Sequence, residues 1–219
     1  HAFTLPLELL WPGQHPCPVR TVPVCINTVQ HPLPTAARCF KLGQAIGRAI
    51  QSWDADKRVV VIGTGGLSHQ LDGERAGFIN KPFDLMCMDA LVDDPERLTR
   101  LSIHDLVREA GAQGTELMTW IAARGALTGT VTRVHASYHI PISNTAGAVM
   151  VFSVAVLKIT AMCGLVPAVW QAWKRQVSFG GQDKRTASRV GGSLWNDCDH
   201  IPAPLTMMPY TYQQRLDIA

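Results

Sequence analysis

The chain has 219 residues, of which 47% are hydrophobic and 17% are charged; this size and composition favour one globular domain with a sizeable core, with or without an appendage. The 20 basic and 17 acidic residues leave a formal charge of +3, which is too small and too dispersed to indicate nucleic acid or an anionic membrane as a partner. The 6 cysteines contain no C-x-x-C pair, as is typical of reduced thiols in a cytoplasmic protein, and they argue against structural zinc.

The first third of the chain predicts a strand, a helix and a second strand. Prolines exclude long helices before residue 35, and residues 21–28 are the best strand candidate there. Residues 35–53 place apolar side chains on one helical face. Residues 59–62 are four branched apolar residues and predict a buried strand. This order predicts a parallel strand pair with a right-handed crossover.

The sequence GTGG follows this strand and predicts a sharp turn that presents Ser68 and His69. In α/β sheets, functional residues collect at such strand ends. A histidine there can exchange a proton near neutral pH, or it can simply bond to the backbone of its own turn. The glycines do not match a dinucleotide-binding or P-loop motif, and Gln70 departs from the G-x-S-x-G elbow of serine hydrolases.

The middle of the chain predicts further helices and one more strand. An irregular but ordered loop is expected at residues 71–84. Three helices are expected at residues 83–91, 102–110 and 115–124. A polar loop is expected at residues 138–145 and a strand at residues 146–152. The second helix opens with a capping box and stops at Gly111. From about Ser153 the character of the sequence changes, and no clear periodicity is visible after Trp173, which predicts weak or absent order there.

Several polar side chains in this region are candidates for a site. Glu116 lies in the first turn of a predicted helix, where it can stabilise the helix dipole or serve as a metal ligand. His135 and His139 have the spacing of a ligand pair on a helix, although a nearby proline argues against a helix. Ser143 and Asn144 can bind a substrate carboxylate or hydroxyl, or cap a turn.

The chain resembles the class III extradiol dioxygenases, in particular the ring-opening subunit of protocatechuate 4,5-dioxygenase and gallate dioxygenase. The similar segments are GTGGLSHQLDGERAGFINKPFD, GTELMTWIAARGAL and YHIPISNTAG, together with HAFTLPLELLWPGQ and PLPTAARCF. The resemblance implies an α/β fold with a central mixed or mainly parallel sheet flanked by helices. It covers residues 1–152 as part of a catalytic domain, and it leaves residues 153–219 as an unmatched tail that we expect to be poorly ordered.

The resemblance implies that the intact protein uses non-haem Fe(II) and O2 to open the ring of a carboxylated catechol, such as protocatechuate or gallate, beside its two hydroxyls. By position within the motifs, it implies Glu116 as the iron carboxylate and His69 as an acid/base near the iron. It implies His1, Ser143 and Asn144 as residues that bind the substrate. It also implies a cytoplasmic protein that forms a homodimer or a complex with a small helical subunit, with no nucleic-acid or membrane partner.

The chain departs from this family in one respect. The two iron histidines of the family precede the position that matches His1, so the resemblance gives neither role to a histidine of this chain. We therefore expect a fragment that is inactive until the missing part is supplied. One alternative is a non-catalytic α/β fragment that binds an aromatic acid or a partner subunit. Another is a member of the same superfamily that acts on a different phenol.

Overall fold

A computed structural model describes residues 2–142 and 144–154, and the backbone of residues 159–164. These residues belong to the first of two compact units, His1–Lys174. The elements are, in chain order, α1 Thr4–Leu10, α2 Ala36–Ser52, β1 Val59–Gly63, α3 Lys81–Asp93, α4 Pro95–Thr99, α5 Ile103–Ala110, a 3-10 turn Gly114–Glu116, α6 Leu117–Gly125, β2 Val131–His139, β3 Gly147–Val154 and β4 Ile159–Gly164.

Side-chain caps mark the starts of α2, α3, α4 and α5, whereas α1 and α6 have none. The Thr35 hydroxyl accepts a hydrogen bond from the Arg38 backbone N–H at the start of α2. Ser102 and Asp105 form the predicted capping box of α5, which ends at Gly111. These caps satisfy backbone groups that a helix end leaves unpaired. The predicted helices are confirmed, and the one predicted at residues 83–91 is longer, at Lys81–Asp93.

The four strands form one mixed sheet in the order β1-β4-β3-β2. β1 pairs with β4 in parallel, and the β4–β3 and β3–β2 pairs are antiparallel. The expected α/β fold with a mixed sheet and flanking helices is therefore confirmed, as are the predicted strands at residues 59–62 and 146–152. The predicted burial of the first strand is wrong, because Val60 of β1 is exposed and its neighbours are half-buried.

Two expectations, the strand at residues 21–28 and the extent of the loop at residues 138–145, are wrong. Residues 21–28 form no strand; most of them are exposed, and Pro23 cannot donate to a ladder. β1 instead pairs with β4. The predicted loop at residues 138–145 loses its first two residues to β2, whose mixed polar sequence hid it. Within the tail that begins at Ser153, residues 159–164 form β4; the predicted order of the tail and the predicted boundary after residue 152 stay predictions, and residues 155–158 and 165–219 lie outside the described residues.

β3 joins two apolar layers because its side chains alternate between the faces of the sheet. Ala148, Met150 and Phe152 enter the main core, which also contains the buried Trp120 of α6. The intervening valines of β3 pack on the other face against Leu10 of α1. Helices therefore cover both faces of the sheet. None of the helices in the described part of the chain is long and apolar enough to cross a membrane.

α2 and α6 pack with their backbones in contact. A Cβ atom at Gly43 would overlap the carbonyl oxygen of Ala122 and lie 2.9 Å from Cα of Gly125. Gly47 approaches the backbone of Ala126 in the same way. Because backbone cannot yield as a flexible side chain can, this contact requires glycine. It fixes α6, the helix that carries part of the candidate site.

We expect Gly43→Ala to lower the free energy of unfolding by about 2 kcal/mol, because overpacking against backbone outweighs the roughly 1 kcal/mol gain in helix propensity. Urea denaturation measures this change. Gly147→Ala is a matched control, since a Cβ atom there would lie 3.8 Å from the His139 oxygen, an ordinary contact. A stability loss of the same size in both variants would contradict the proposed backbone contact.

Candidate functional site

The turn after β1 is held by the segment that leads into α6. The Glu116 carboxylate oxygen Oε2 accepts a hydrogen bond of 2.6 Å from the Gly66 backbone N–H. The Trp120 indole N–H donates to the Gly65 carbonyl oxygen at 3.1 Å, and the Thr119 hydroxyl donates to the Thr64 carbonyl. Two successive peptide units of the turn, Thr64–Gly65 and Gly65–Gly66, are therefore fixed by side chains from one short stretch of sequence.

Glycine is required at the centre of this turn. Gly65 has a φ of 114°, in the region that favours glycine. A Cβ atom there would also lie 2.8 Å from Cβ of Glu116. The close approach of backbone and side chain lets the Glu116 carboxylate reach the turn. Among the described residues, its second oxygen, Oε1, has no hydrogen-bond partner.

His69 lies on the other side of the same turn and is 4% exposed. Its Nδ1 lies 2.9 Å from the Leu67 carbonyl oxygen. Since a carbonyl only accepts hydrogen bonds, Nδ1 carries the hydrogen, and the neutral ring keeps its lone pair on Nε2. A Cβ atom at Gly66 would lie 3.0 Å from Cε1 of this ring. His69 and Glu116 therefore both contact Gly66, one at its Cα side and the other at its N–H.

The backbone of His69 is fixed as firmly as its ring. Its N–H donates to the Ala110 carbonyl at 2.8 Å, and His69 forms an isolated antiparallel bridge with Thr145. Gly111, the residue that follows α5, has a φ of 85°. A Cβ atom on Gly111 would overlap the His69 carbonyl oxygen. The end of α5 and the segment before β3 thus enclose the histidine.

Ser68 has a structural role here. It is fully buried, its hydroxyl donates to Oδ2 of Asp84 at 2.6 Å, and it accepts a hydrogen bond from the Asn80 N–H. An activated serine would instead be exposed and would donate to a base such as histidine. The geometry therefore excludes the serine-hydrolase alternative.

Asp84 is a residue that the sequence analysis missed. It is 1% exposed, and its two carboxylate oxygens accept hydrogen bonds from Ser68 and from the Tyr138 hydroxyl. Burial raises the pKa of this carboxyl, while these hydrogen bonds and the nearby His69 act in the opposite direction. The one signal in the sequence is an aspartate within the otherwise apolar run Phe83–Met86 of a helix.

Asn144 lies beside the His69–Thr145 bridge, at the tip of the loop between β2 and β3. It is exposed and has a φ of 52°, a conformation that asparagine tolerates better than most residues. Gly77, in the loop after His69, approaches its side chain: a Cβ atom at Gly77 would lie 3.4 Å from the Asn144 amide nitrogen. The structure therefore places Asn144 near His69, whereas Ser143 and His1 lie outside the described residues.

The loop that carries Gly77 is ordered by its own contacts, as predicted. The Arg75 guanidinium donates to the carbonyl oxygens of Val107 and Arg108 in the last turn of α5, and it lies 3.9 Å from the centre of the Phe78 ring. A cation is favoured at the carboxyl end of a helix. The loop is thus anchored on both sides of the candidate site.

His135 and His139 do not form a ligand pair. Both lie on β2, where four residues of extended chain separate them by ~13 Å. The buried Nε2 atom of His135 has no hydrogen-bond partner among the described residues. Burial lowers the pKa of this histidine, because a charged ring is disfavoured away from water.

A metal centre is not complete within the described residues. No group of three His, Cys, Asp or Glu side chains lies close enough together there to hold a metal ion. Glu116 can supply one carboxylate donor through Oε1. Useful binding of a divalent metal needs further ligands, so the described residues on their own do not fit a complete iron site.

The fold and the site define an α/β protein whose candidate functional residues follow β1, a strand at the edge of the described sheet. The chain belongs to the family described as the catalytic LigB subunit of aromatic ring-opening dioxygenase, whose profile matches residues 1–149. The family expectation from the sequence motifs is confirmed.

Individual relatives have related activities. The chain is 44% identical to the gallate dioxygenase of Pseudomonas putida KT2440 over 141 residues, which are 64% of this chain and 42% of that protein. It is 53% identical over 70 residues to a 2,3-dihydroxyphenylpropionate/2,3-dihydroxicinnamic acid 1,2-dioxygenase of Pseudomonas putida, and 49% identical over 70 residues to the Escherichia coli 55989 enzyme. Each 70-residue match covers 32% of this chain and 21% of the relative. The chain therefore spans less than half the length of these relatives.

We expect His135 to destabilise the fold as the pH falls. Its pKa is lower in the folded protein than the unfolded value near 6.5, so between those two values the unfolded chain binds the proton more readily and stability decreases with decreasing pH. The free energy of unfolding, measured at about pH 7.5 and about pH 5.5, should fall less in His135→Gln than in the wild type. His104→Gln, at an exposed histidine, is the control and should match the wild type. Equal decreases in all three proteins would contradict the expectation.

Proposed function

We propose that this protein takes part in extradiol cleavage of a carboxylated catechol, such as gallate or protocatechuate, by O2. The observation that carries the proposal is the contact of His69 and Glu116 with one glycine, Gly66, in a chain 44% identical to a gallate dioxygenase over 141 residues. One of these side chains can move a proton and the other can bind a metal, on either side of a half-buried glycine.

We assign Glu116 to Fe(II) as one ligand, which needs further donors that the described residues do not supply. Fe(II), when bound, supplies a centre where a catechol and O2 can meet, and it lowers the pKa of the catechol hydroxyls. The Gly66 N–H on Oε2 leaves Oε1 of Glu116 available for this role among the described residues. The same hydrogen bond orients the carboxylate, as ligands to a metal commonly require.

In this proposal His69 is the acid/base. Its Nδ1–H is occupied by the Leu67 carbonyl, so Nε2 is the nitrogen that accepts a proton from a ring hydroxyl and later returns it to the opened product. General acid–base catalysis of this kind contributes about 10²- to 10⁴-fold in rate. The rigid backbone of His69 holds the ring in place during both transfers.

Asn144 completes the proposed site by donating to the substrate carboxylate, together with Ser143 and His1. Its support is position: the exposed Asn144 precedes Thr145, which forms a bridge with His69, and its amide lies near Gly77 in the loop after His69. A cytoplasmic location, and assembly as a homodimer or with a small helical subunit, belong to the same proposal.

Oxygen uptake tests the proposal. The chain is loaded with Fe(II) and mixed with gallate or protocatechuate, alone and combined with the part of the Pseudomonas putida gallate dioxygenase that it does not match. We expect substrate-dependent uptake from the combined sample and little from the chain alone, because the described residues supply a single metal donor. His69→Gln should lower kcat by roughly 10²-fold or more. The absence of uptake from a combined sample that binds iron would contradict the proposal.

We expect Asn144→Gly to weaken binding of a carboxylated catechol by roughly tenfold, the loss of one hydrogen bond to a charged group. Glycine avoids the strain that alanine would suffer at the positive φ of this position. KM for protocatechuate and for plain catechol measures the effect. Asn144→Asp keeps the shape and the backbone preference but repels a carboxylate, so it should weaken protocatechuate binding more than Asn144→Gly does. An equal loss for both substrates would contradict the assignment.

A second candidate is binding of an aromatic acid or a partner subunit without chemistry. It is favoured by the absence of a three-ligand metal cluster among the described residues. Iron content after purification separates the candidates, because a non-catalytic fragment retains no iron in either sample of the oxygen-uptake experiment.

A further inference from the structure

The buried carboxylate of Asp84 lies in the first turn of α3, where the helix dipole favours a negative charge, but it is not the cap of that helix. The N-terminus of α3 is already capped by the Asn80 side chain, which accepts from the Phe83 N–H. Asp84 lies one residue further on and contributes to the folded core at 1% exposure. Because a buried carboxylate is unfavourable unless its oxygens are satisfied, its partners indicate what it does.

Those partners lead to the candidate site. Oδ1 of Asp84 accepts from the Ser68 backbone N–H at 2.9 Å, and Oδ2 accepts from the Ser68 hydroxyl at 2.6 Å. The Tyr138 hydroxyl, from β2, donates to Oδ2 at 2.8 Å. Burial and the adjacent carboxylate both raise the pKa of Tyr138, so its hydroxyl remains a donor. Three neutral donors thus fix both oxygens of Asp84.

The peptide unit between Leu67 and Ser68 connects Asp84 to His69. Its N–H donates to Asp84, and its C=O accepts from Nδ1 of His69 at 2.9 Å. A trans peptide is planar and holds its N–H and C=O in opposite directions. Fixing the N–H on Asp84 therefore fixes the carbonyl that holds the imidazole. The negative charge on the N–H side also polarises the peptide and makes its carbonyl a stronger acceptor.

We propose that Asp84 is a positioning residue that acts on His69 through the Leu67–Ser68 peptide, and that it keeps the neutral imidazole in the Nδ1–H form with Nε2 free for proton transfer. The catalytic meaning of this arrangement rests on the proposed function, but the tautomer itself does not. The main-chain hydrogen bonds of Leu67 and Ser68 with Ala146 hold the same segment from the other side, so the peptide cannot simply rotate.

The ¹⁵N NMR shifts of the His69 ring test this proposal in the full chain, with His69→Gln identifying the signals. At about pH 8.5, where histidine rings are neutral, the wild type should show the Nδ1–H tautomer. Asp84→Asn should lower the ratio of Nδ1–H to Nε2–H by about tenfold, since an amide keeps an oxygen for the Ser68 N–H but carries no charge. Asp89→Asn is the matched control, at an exposed aspartate of the same helix, and should leave the ratio unchanged.

Ser68→Ala separates positioning from packing. It removes a buried hydroxyl from Asp84 but keeps the backbone N–H that carries the proposed effect. It should therefore lower stability while leaving the tautomer ratio within about twofold of the wild type. An unchanged ratio in folded Asp84→Asn, or an equal change in Ser68→Ala, would overturn the proposal.

A wild-type measurement covers the case in which Asp84→Asn does not fold. A scalar coupling between the Ser68 amide nitrogen and the Asp84 carboxyl carbon reports their hydrogen bond directly. We expect this coupling together with the Nδ1–H tautomer of His69; absence of the coupling or an Nε2–H ring would overturn the proposal. If the tautomer results hold and no ring cleavage is found, the proposed function fails and the positioning role of Asp84 stands.

Discussion

The hydrogen bond between the Gly66 N–H and the Glu116 carboxylate is the constraint on which the candidate site depends. It joins the turn after β1 to the segment that begins α6, two parts of the chain separated by 50 residues. Because the same glycine contacts the His69 ring, it also sets the distance between a proton carrier and a carboxylate. The close backbone contact between the glycines of α2 and α6 fixes the position of α6, and with it the segment that carries Glu116.

The site is supported by polar groups that are themselves buried. Asp84 links three elements, since it lies on α3, accepts from Tyr138 of β2 and holds Ser68 in the turn. Buried polar networks of this kind stabilise one arrangement only when every member is satisfied. Here each oxygen of Asp84 has a donor, and the ring of His69 is oriented without a direct contact between the two side chains.

Local sequence signals predicted α2, α3, α5 and α6. They did not predict β2 and β4, which are strands that depend on long-range pairing. Thr35 and Ser102 cap helices through contacts within a few residues, so sequence alone locates α2 and α5. β2 was missed because its polar residues become a strand only when β3 lies beside them. Residues 21–28 have β-branched side chains but no strand partner. The β-propensity of the residues therefore could not show that β2 forms a strand and that residues 21–28 do not.

The candidate site shows the same division. His69 could be anticipated from a strand, glycines and a turn, whereas the role of Glu116 came from a family resemblance that covers its motif. Their common contact with Gly66 depends on a fold that brings residues 66 and 116 together, which no local pattern contains. Asp84 was missed because its single signal, an apolar setting within a helix, does not show which buried groups its carboxylate would contact.

The nature of the product tests the central claim most directly. An iron-loaded sample that consumes ¹⁸O2 with protocatechuate should yield an acid whose ring is cut beside the two hydroxyls. The two oxygen atoms inserted at the broken bond should both come from O2. NMR and mass spectrometry of that product identify the broken bond and the label. Cleavage between the hydroxyls, or oxygen consumption that leaves no label in the organic product, would contradict extradiol chemistry at the turn formed by Gly66, His69 and Glu116.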